Sequence, residues 1–249
     1  MFVETPHIPT ARVTVAAVSG EYGEIRDSLK KLGIEIITVF RYPNLPVPVA
    51  SHADLLLHHL GHHKIVAAKG DGDYINQLKQ LGFQISLSEK KLDHNYPDDI
   101  PLDCLRVGKY LFGKAKHIDP IILKYCHDNK IEIVDVKQGY TKCSACIVNE
   151  NTIITSDIGV EKACRGKGMD TLLIQNGDLS LPGYDYGFIG GCTGLIDKHT
   201  LAMAGDITYH PDGKRIINFL HAHDVTAVAL QKGIPIDIGG ILPLIQDNA

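Results

Sequence analysis

Apolar residues recur along this chain in two alternating rhythms, a helical one and then a short β-branched one. Asp27-Ser-Leu-Lys-Lys-Leu-Gly33 sets Leu29 and Leu32 at helical spacing and leads into Ile34-Glu-Ile-Ile-Thr38. The same order returns in Asp73-Tyr-Ile-Asn-Gln-Leu-Lys-Gln-Leu-Gly82, where Ile75, Leu78 and Leu81 share a face, followed by Phe83-Gln-Ile-Ser86. Further copies are Pro120 to Asn129 leading to Val134, Val160 to Gly166 leading to Thr171-Leu-Leu-Ile174, and Arg215 to His223 leading to Thr226-Ala-Val-Ala-Leu230. Gly33 and Gly82 stand where a helix needs a left-handed residue to stop, and Asn129 is the next best residue for that place. Starts are marked by Asp119-Pro120, His210-Pro211 and Asp73, the prolines falling at the first helical position.

Hairpins are predicted between the helices. Leu55-Leu56-Leu57 and 64–67 flank a turn near Gly61, 102–106 and 110–112 flank Gly108, 145–148 and 152–155 flank Asn149-Glu150-Asn151, and 194–196 and 200–203 flank Asp197-Lys198-His199. The turns return about every 45 residues, which is a repeat signal. The strand Arg12-Val-Thr-Val-Ala-Ala-Val18 has no unit of its own, and the stretch Ile234 to Pro243 follows the last helix–strand copy. Pairing the two closes a ring and removes both open edges. The expectation is therefore a single α/β domain over 1–249, a pseudo-five-fold α/β propeller of ββαβ-type repeats. The plainer alternative, an open doubly wound sheet, leaves the hairpins unexplained.

Composition narrows the function classes. With 44% apolar and 22% charged residues among 249, the chain has enough apolar content to build a core and too little charge for disorder. A formal net charge of −4 without a long basic run excludes a nucleic-acid footprint. The start Met1-Phe2-Val3-Glu4-Thr5-Pro6 lacks the pattern of an export signal, and no apolar stretch approaches the ~20 residues needed to span a bilayer. The six cysteines (104, 126, 143, 146, 164 and 192) then read as reduced thiols of a cytoplasmic protein.

Three stretches carry a family resemblance: Val136-Lys-Gln-Gly-Tyr-Thr-Lys-Cys-Ser-Ala-Cys146 with Ile153-Ile-Thr-Ser-Asp157, Gly183-Tyr-Asp-Tyr-Gly-Phe-Ile-Gly-Gly191, and Asp237-Ile-Gly-Gly-Ile-Leu-Pro-Leu244. They resemble a bacterial family of unassigned activity with the guanidine-modifying-enzyme fold, the pentein or amidinotransferase-like α/β propeller. The resemblance covers nearly the whole chain. It implies a central funnel in which a Cys of the last unit attacks a guanidinium carbon, a His of the third unit handles protons and two carboxylates grip the cation. The chain departs from that pattern. Its last unit, Asp237 to Leu244, has no Cys. The third unit offers Tyr140, Lys142 and Cys143 in place of a His, and the second reads Pro97-Asp-Asp-Ile-Pro-Leu-Asp103 without a Glu-Gly-Gly-Asp run.

Cys143 becomes the first candidate nucleophile. A thiolate near neutral pH needs cationic surroundings. Lys137 and Lys142 stand nearby in sequence, Lys142 being expected to lower the thiol pKa, and Gln138 and Ser144 could supply hydrogen bonds. The alternative is an ordinary small core cysteine. Cys143 and Cys146 fall on a predicted strand with opposite facings, so no metal is expected there. His58-His59-Leu-Gly-His62-His63 spans a predicted turn and reads as exposed histidines. Gly70-Asp71-Gly72-Asp73 lacks the Glu that completes a calcium loop. The glycines of 187–191 and 239–240 permit close backbone approach, and Cys192 is a weaker thiol candidate.

The funnel is thus expected to be lined by hairpin starts: His52 and Asp54, Asp103, Lys137 to Ser144 with Gln138 and Tyr140, Gly191 and Cys192, and Asp237. Asp54 and Asp237 would hold a guanidinium or amine, making the ligand a small cation and the enzyme, if it is one, a hydrolase or amidinotransferase-like catalyst acting on C–N bonds. No metal, cofactor, nucleic acid or membrane partner is expected, and the oligomeric state stays open. The competing reading is a non-catalytic ring binding a protein or ribosomal partner. The missing Cys favours it, while the low charge and absent basic face oppose a ribosome.

Overall fold

The computed structural model of the chain describes residues 1–70 and 72–248. The chain opens with β1 (Val13–Ser19), α1 (Gly23–Lys31) and β2 (Glu35–Val39). A single helical turn α2 (Ala53–Leu56) then precedes β3 (Leu57–Gly61), β4 (Lys64–Ala67), α3 (Asp73–Gln80) and β5 (Gln84–Leu87). Next come β6 (Leu105–Val107), β7 (Tyr110–Gly113), α4 (Pro120–Asp128) and β8 (Glu132–Asp135). They are followed by β9 (Ala145–Asn149), β10 (Thr152–Thr155), α5 (Ile158–Arg165) and β11 (Asp170–Leu173). The chain finishes with β12 (Thr193–Asp197), β13 (Thr200–Met203), α6 (Gly213–Ala222), β14 (Thr226–Ala229) and β15 (Leu242–Gln246).

Among the described residues these strands form five three-stranded sheets of one design. Each has an antiparallel pair, a hairpin in four of the five, whose second strand runs parallel to a third, with a helix making the crossover, as in β3–β4–α3–β5. The last sheet takes its strands from both ends of the chain, β15 pairing antiparallel with β1 and β1 parallel with β2. Among the described residues no sheet is wider than three strands, which rules out the open doubly wound alternative. The architecture is the pseudo-five-fold α/β propeller that the repeats predict.

Burial grades outward across each sheet. β3 and β9 to β10 are nearly all buried, whereas the third strands β5, β8 and β14 are largely exposed or half-buried. The first strands are therefore packed inward and bring their leading ends together. Gly33 and Gly82 stop α1 and α3 at φ 80° and 93°, as a left-handed terminus requires. Five local expectations are corrected. After α4 the left-handed residue is Lys130 (φ 56°), not Asn129. α6 begins at Gly213, so Pro211 lies outside it, and Gly72 precedes α3 while Asp73 is its first residue without a capping bond. Leu32, just beyond the end of α1, is 40% exposed. Leu55 and Leu56 form a helical turn rather than a strand, because backbone bonds link Asp54 N–H to Gly239 O and Leu55 N–H to His52 O. Among the described residues no helix is long and apolar enough to cross a membrane.

Ring closure is directly testable. Leu242 and Leu244 of β15 are 2% and 1% exposed, and burying two leucines contributes about 3–6 kcal/mol, comparable with the whole stability of many proteins. A chain ending at residue 241 is expected to lose cooperative thermal unfolding in circular dichroism. A sharp melt near that of the full chain would show that closure is dispensable.

Candidate functional site

Each inner strand is preceded by a short turn, helical or loop segment, and the five segments meet. They hold His52 and Asp54 before β3, Asp103 before β6, Cys143 before β9, Gly190 to Cys192 before β12, and Asp237 to Gly240 before β15. Backbone bonds stitch them together: Gly191 N–H to Cys143 O (3.0 Å), Ile238 N–H to Gly191 O (2.9 Å) and Asp54 N–H to Gly239 O (3.1 Å). Two glycines make the approach possible. Gly239 sits at φ 75° with its missing Cβ directed at His52, and a Cβ on Gly191 would fall onto the Asp237 carboxylate.

Side chains complete the convergence. The Cys143 thiol donates to Asp54 Oδ2 at 3.0 Å. Asp103 Oδ1 accepts the amide N–H groups of Lys142 (2.6 Å) and Cys143 (3.2 Å), fixing the turn that carries the thiol. Asp237 accepts from the amides of Phe188 (2.8 Å) and Gly239 (3.0 Å), and its Oδ1 lies 3.8 Å from His52 Nδ1. His52 Nε2, Asp54 Oδ1 and Asp103 Oδ2 are buried without a hydrogen-bond partner among the described residues.

The electrostatics follow from burial. Three buried aspartates gather here, and among the described residues no lysine or arginine forms an ion pair with any of them. Burial lifts the Asp237 pKa to about 6, against its two amide bonds. Asp54 is raised by burial, with Lys142 and His52 opposing, and Asp103 is held well above the carboxylate range by burial and the Asp54 charge. Burial depresses the His52 pKa to about 4, which leaves the imidazole neutral at pH 7. The Cys143 thiol is pushed well up by burial and then by Asp103, Asp54 and Asp237. This corrects the expectation that Lys142 activates it. The Lys142 ammonium instead donates to Gly190 O at 3.1 Å and lines a separate void with His7 and Thr193.

Above this floor lies a cavity of about 230 Å³, lined by His52, Cys143, Asp237, Val49, Leu55, Leu181, Tyr140, Tyr184, Asp185, Tyr186 and Phe188. Tyr140 is anchored by its hydroxyl, which donates to Asp99 Oδ2, and it neighbours Phe188. Tyr184 and Tyr186 are 48% and 38% exposed and form the mouth. Of the residues expected in the funnel, His52, Tyr140, Cys143 and Asp237 face this cavity, with Asp54 directly behind the thiol. Asp103, Ser144, Gly191 and Cys192 are buried in the supporting layer, where Ser144 bonds Thr141 O and Cys192 bonds Phe188 O. Lys137 is exposed, and Gln138 is tied to Asp157, so neither lines the cavity. The wall formed by Leu181, Tyr184, Asp185, Tyr186 and Phe188 was not anticipated. Its signal was the pair of tyrosines between Gly183 and Gly187, in a stretch read for its family resemblance and for its later glycines.

Two cysteine and histidine readings change. Cys143 lies in the turn before β9, not on a strand, and only Cys146 is on β9. His58 and His59 are buried at 3% and 1% on β3, each bonded to a carbonyl (Leu102 O and His62 O), while His62 and His63 are exposed as expected. Asp71 of the rejected calcium loop lies outside the described residues.

Gly191→Ala is expected to displace Asp237 and destabilise the fold by about 1–3 kcal/mol, the cost of overpacking a filled interior. A chemical denaturation midpoint equal to that of the parent would show that the segment can yield.

Solved structures share this architecture at very low sequence identity. Inosamine-phosphate amidinotransferase from Streptomyces griseus superposes with a TM-score of 0.60 at 10% identity, covering 100% of this chain and 98% of that one. Agmatine deiminase from C. jejuni gives 0.55 at 8% identity, covering 91% and 90%. DDAH from Pseudomonas aeruginosa, solved with citrulline, gives 0.53 at 7%, covering 88% and 92%. The likeness establishes the pentein fold. No curated protein matches the chain in sequence. One family model spans residues 17–242, so the chain belongs to the family of unknown function DUF6873, built on the scaffold of the guanidine-modifying enzymes.

Proposed function

We propose that the cavity binds a small cationic molecule with a guanidinium or amine head and that Cys143 attacks a guanidinium carbon held there. One observation carries this reading. A buried thiol sits among carboxyl groups with unpaired oxygens, beneath a cavity walled by aromatic rings. Buried carboxyl oxygens without partners favour a cation that brings its own N–H donors, and the tyrosine faces at the mouth favour the same charge. A planar guanidinium seated against Asp237, which lines the cavity, would place its carbon beside Cys143, with Asp54 behind the thiol.

The resting thiol is neutral, so the bound cation itself must favour the thiolate. A positive charge within a few ångströms does so by Coulomb attraction, strengthened in a buried site. As the S–C bond forms, the thiol proton passes to Asp54, its existing hydrogen-bond partner. The C–N bond then breaks and the departing nitrogen takes that proton, leaving an amidino group on sulfur. Attack by water, whose proton goes to the same base, breaks the C–S bond and restores the thiol. An acceptor amine in place of water would make the reaction a transfer. The fold neighbours named for amidinotransferase and deiminase activities support this class of chemistry as analogy.

The test is a panel of guanidino compounds, amines and carboxylic acids, measured by calorimetry and by intact mass for a Cys143 adduct. Guanidino compounds are expected to bind, with Tyr184→Ala and Tyr186→Ala each weakening affinity about tenfold, the scale of one cation–aromatic contact. Binding of the acids in preference to the cations would sink the reading.

A further inference from the structure

We infer that His52, Asp54 and Cys143 form a binding site for a divalent transition ion, and that zinc suits the donor set best. The donor atoms of the three residues lie within 4.8 Å of one another. The side chains are 1%, 1% and 3% exposed. Two potential donors, His52 Nε2 and Asp54 Oδ1, have no hydrogen-bond partner. Orphaned polar atoms at this depth are rare without a further ligand.

The chemistry of the set selects the ion. One imidazole, one carboxylate and one thiol make the mixed nitrogen, oxygen and sulfur environment that zinc accepts. Magnesium and calcium prefer oxygen alone. Zinc bonds of ~2.0–2.3 Å place neighbouring tetrahedral donors ~3.5 Å apart. With all three donors within 4.8 Å of one another, the side chains need to draw in by only about an ångström. The thiolate and one carboxylate would balance the two positive charges, the thiol proton leaving to solvent on binding.

The surroundings match as well. His52 Nδ1 faces Asp237 Oδ1 at 3.8 Å, the place of a carboxylate that orients a metal-bound imidazole through its other nitrogen. Asp237 is itself pinned by two amides, and Asp103 holds the Cys143 backbone. Because His52 and Cys143 also line the cavity, a fourth position would open towards it, as in zinc sites that bind a water or substrate. The metal and a guanidinium draw on the same thiolate and carboxylates. They would therefore be alternative occupants of one pocket, and the metal inference stands without the guanidinium reading.

The experiment starts from chelator-treated full-length protein titrated with Co²⁺ and then Zn²⁺. The expected result is one cobalt per chain with an intense thiolate-to-cobalt charge-transfer band, displaced by one equivalent of zinc, and zinc shielding of Cys143 from iodoacetamide. Cys143→Ser should remove the band, His52→Ala should weaken zinc binding on the order of 100-fold, and Cys164→Ala should keep both. A wild-type cobalt spectrum without the thiolate band overturns the site, independent of how any variant folds. Zinc affinity unchanged in both the Cys143 and His52 variants also overturns it, placing the ion on exposed histidines. Guanidino-compound binding to the metal-free protein, measured in parallel, reports on the proposed function alone, so failure of one reading leaves the other visible.

Discussion

Cys143→Ala is expected to abolish adduct formation and any turnover of a guanidino compound, by about 10⁴-fold or more, the scale on which removal of a covalent nucleophile acts. Ligand binding should survive, because the carboxylates and the aromatic wall remain. The same thiol gives a prediction that needs no substrate. Burial and three neighbouring aspartates hold the Cys143 pKa well up, so the free protein should react slowly with iodoacetamide at neutral pH, its rate climbing only on the alkaline side. A bound guanidinium places positive charge beside the sulfur and should shift that rise to lower pH for any cysteine-reactive guanidine analogue small enough to enter. Fast alkylation of Cys143 in the ligand-free protein below pH 8 would contradict the acidic environment described here. Turnover that persists in Cys143→Ala would remove the covalent mechanism while leaving the binding site intact.

Asp103→Ala is expected to destabilise the protein by about 2–4 kcal/mol, whereas Asp103→Asn should cost no more than about 1 kcal/mol. Asp103 Oδ1 receives two buried amide N–H groups, from Lys142 and Cys143. Alanine strands both donors, each worth about 1–3 kcal/mol, against some relief from no longer burying a carboxyl group. The carboxyl is held well above its ordinary range by burial and the Asp54 charge. Asparagine removes that buried carboxyl group and keeps the accepting oxygen. Denaturant midpoints of the two variants check this. Equal losses would mean that charge, not the acceptor, is what the turn requires. Because this turn carries Cys143, the alanine variant should also lose adduct formation out of proportion to its stability.

Much of the architecture was legible in order. The five helix-to-strand copies, the stops at Gly33 and Gly82 and the partner for the first strand all rest on interactions between residues close in sequence or on the need to cover an open edge. Mistakes arose where a tertiary contact outweighed local preference. Leu55 and Leu56 are β-compatible by composition, yet the backbone bond from Asp54 to Gly239 holds them in a helical turn. Asn129 is the better left-handed residue, but α4 runs to Asp128, which makes Asn129 its C-cap and leaves the left-handed place to Lys130. His58 and His59 were read as exposed because their cluster spans the predicted turn, whereas both lie on β3, where carbonyls satisfy them in the core.

The candidate site divides in the same way. Repeat logic, read with the funnel that the family resemblance implies, selected the hairpin starts, because equivalent positions in a ring of equivalent units face a common axis. It named His52, Asp54, Asp103, Cys143 and Asp237 before any contact was known. It could not say that the Cys143 thiol meets Asp54, 89 residues away, or that Lys142 turns from the thiol to the Gly190 carbonyl. Side-chain direction within a turn depends on which neighbours fill the space, and those neighbours come from other units. The tyrosines at 184 and 186 became a wall only when their loop folded over the axis. Sequence by itself determined the units, their number and the ends of strands that gather, since these follow from local periodicity and edge coverage. Tertiary structure alone decided the partner of each polar atom and the acidic setting of the thiol, because both depend on distances between segments that no local pattern encodes.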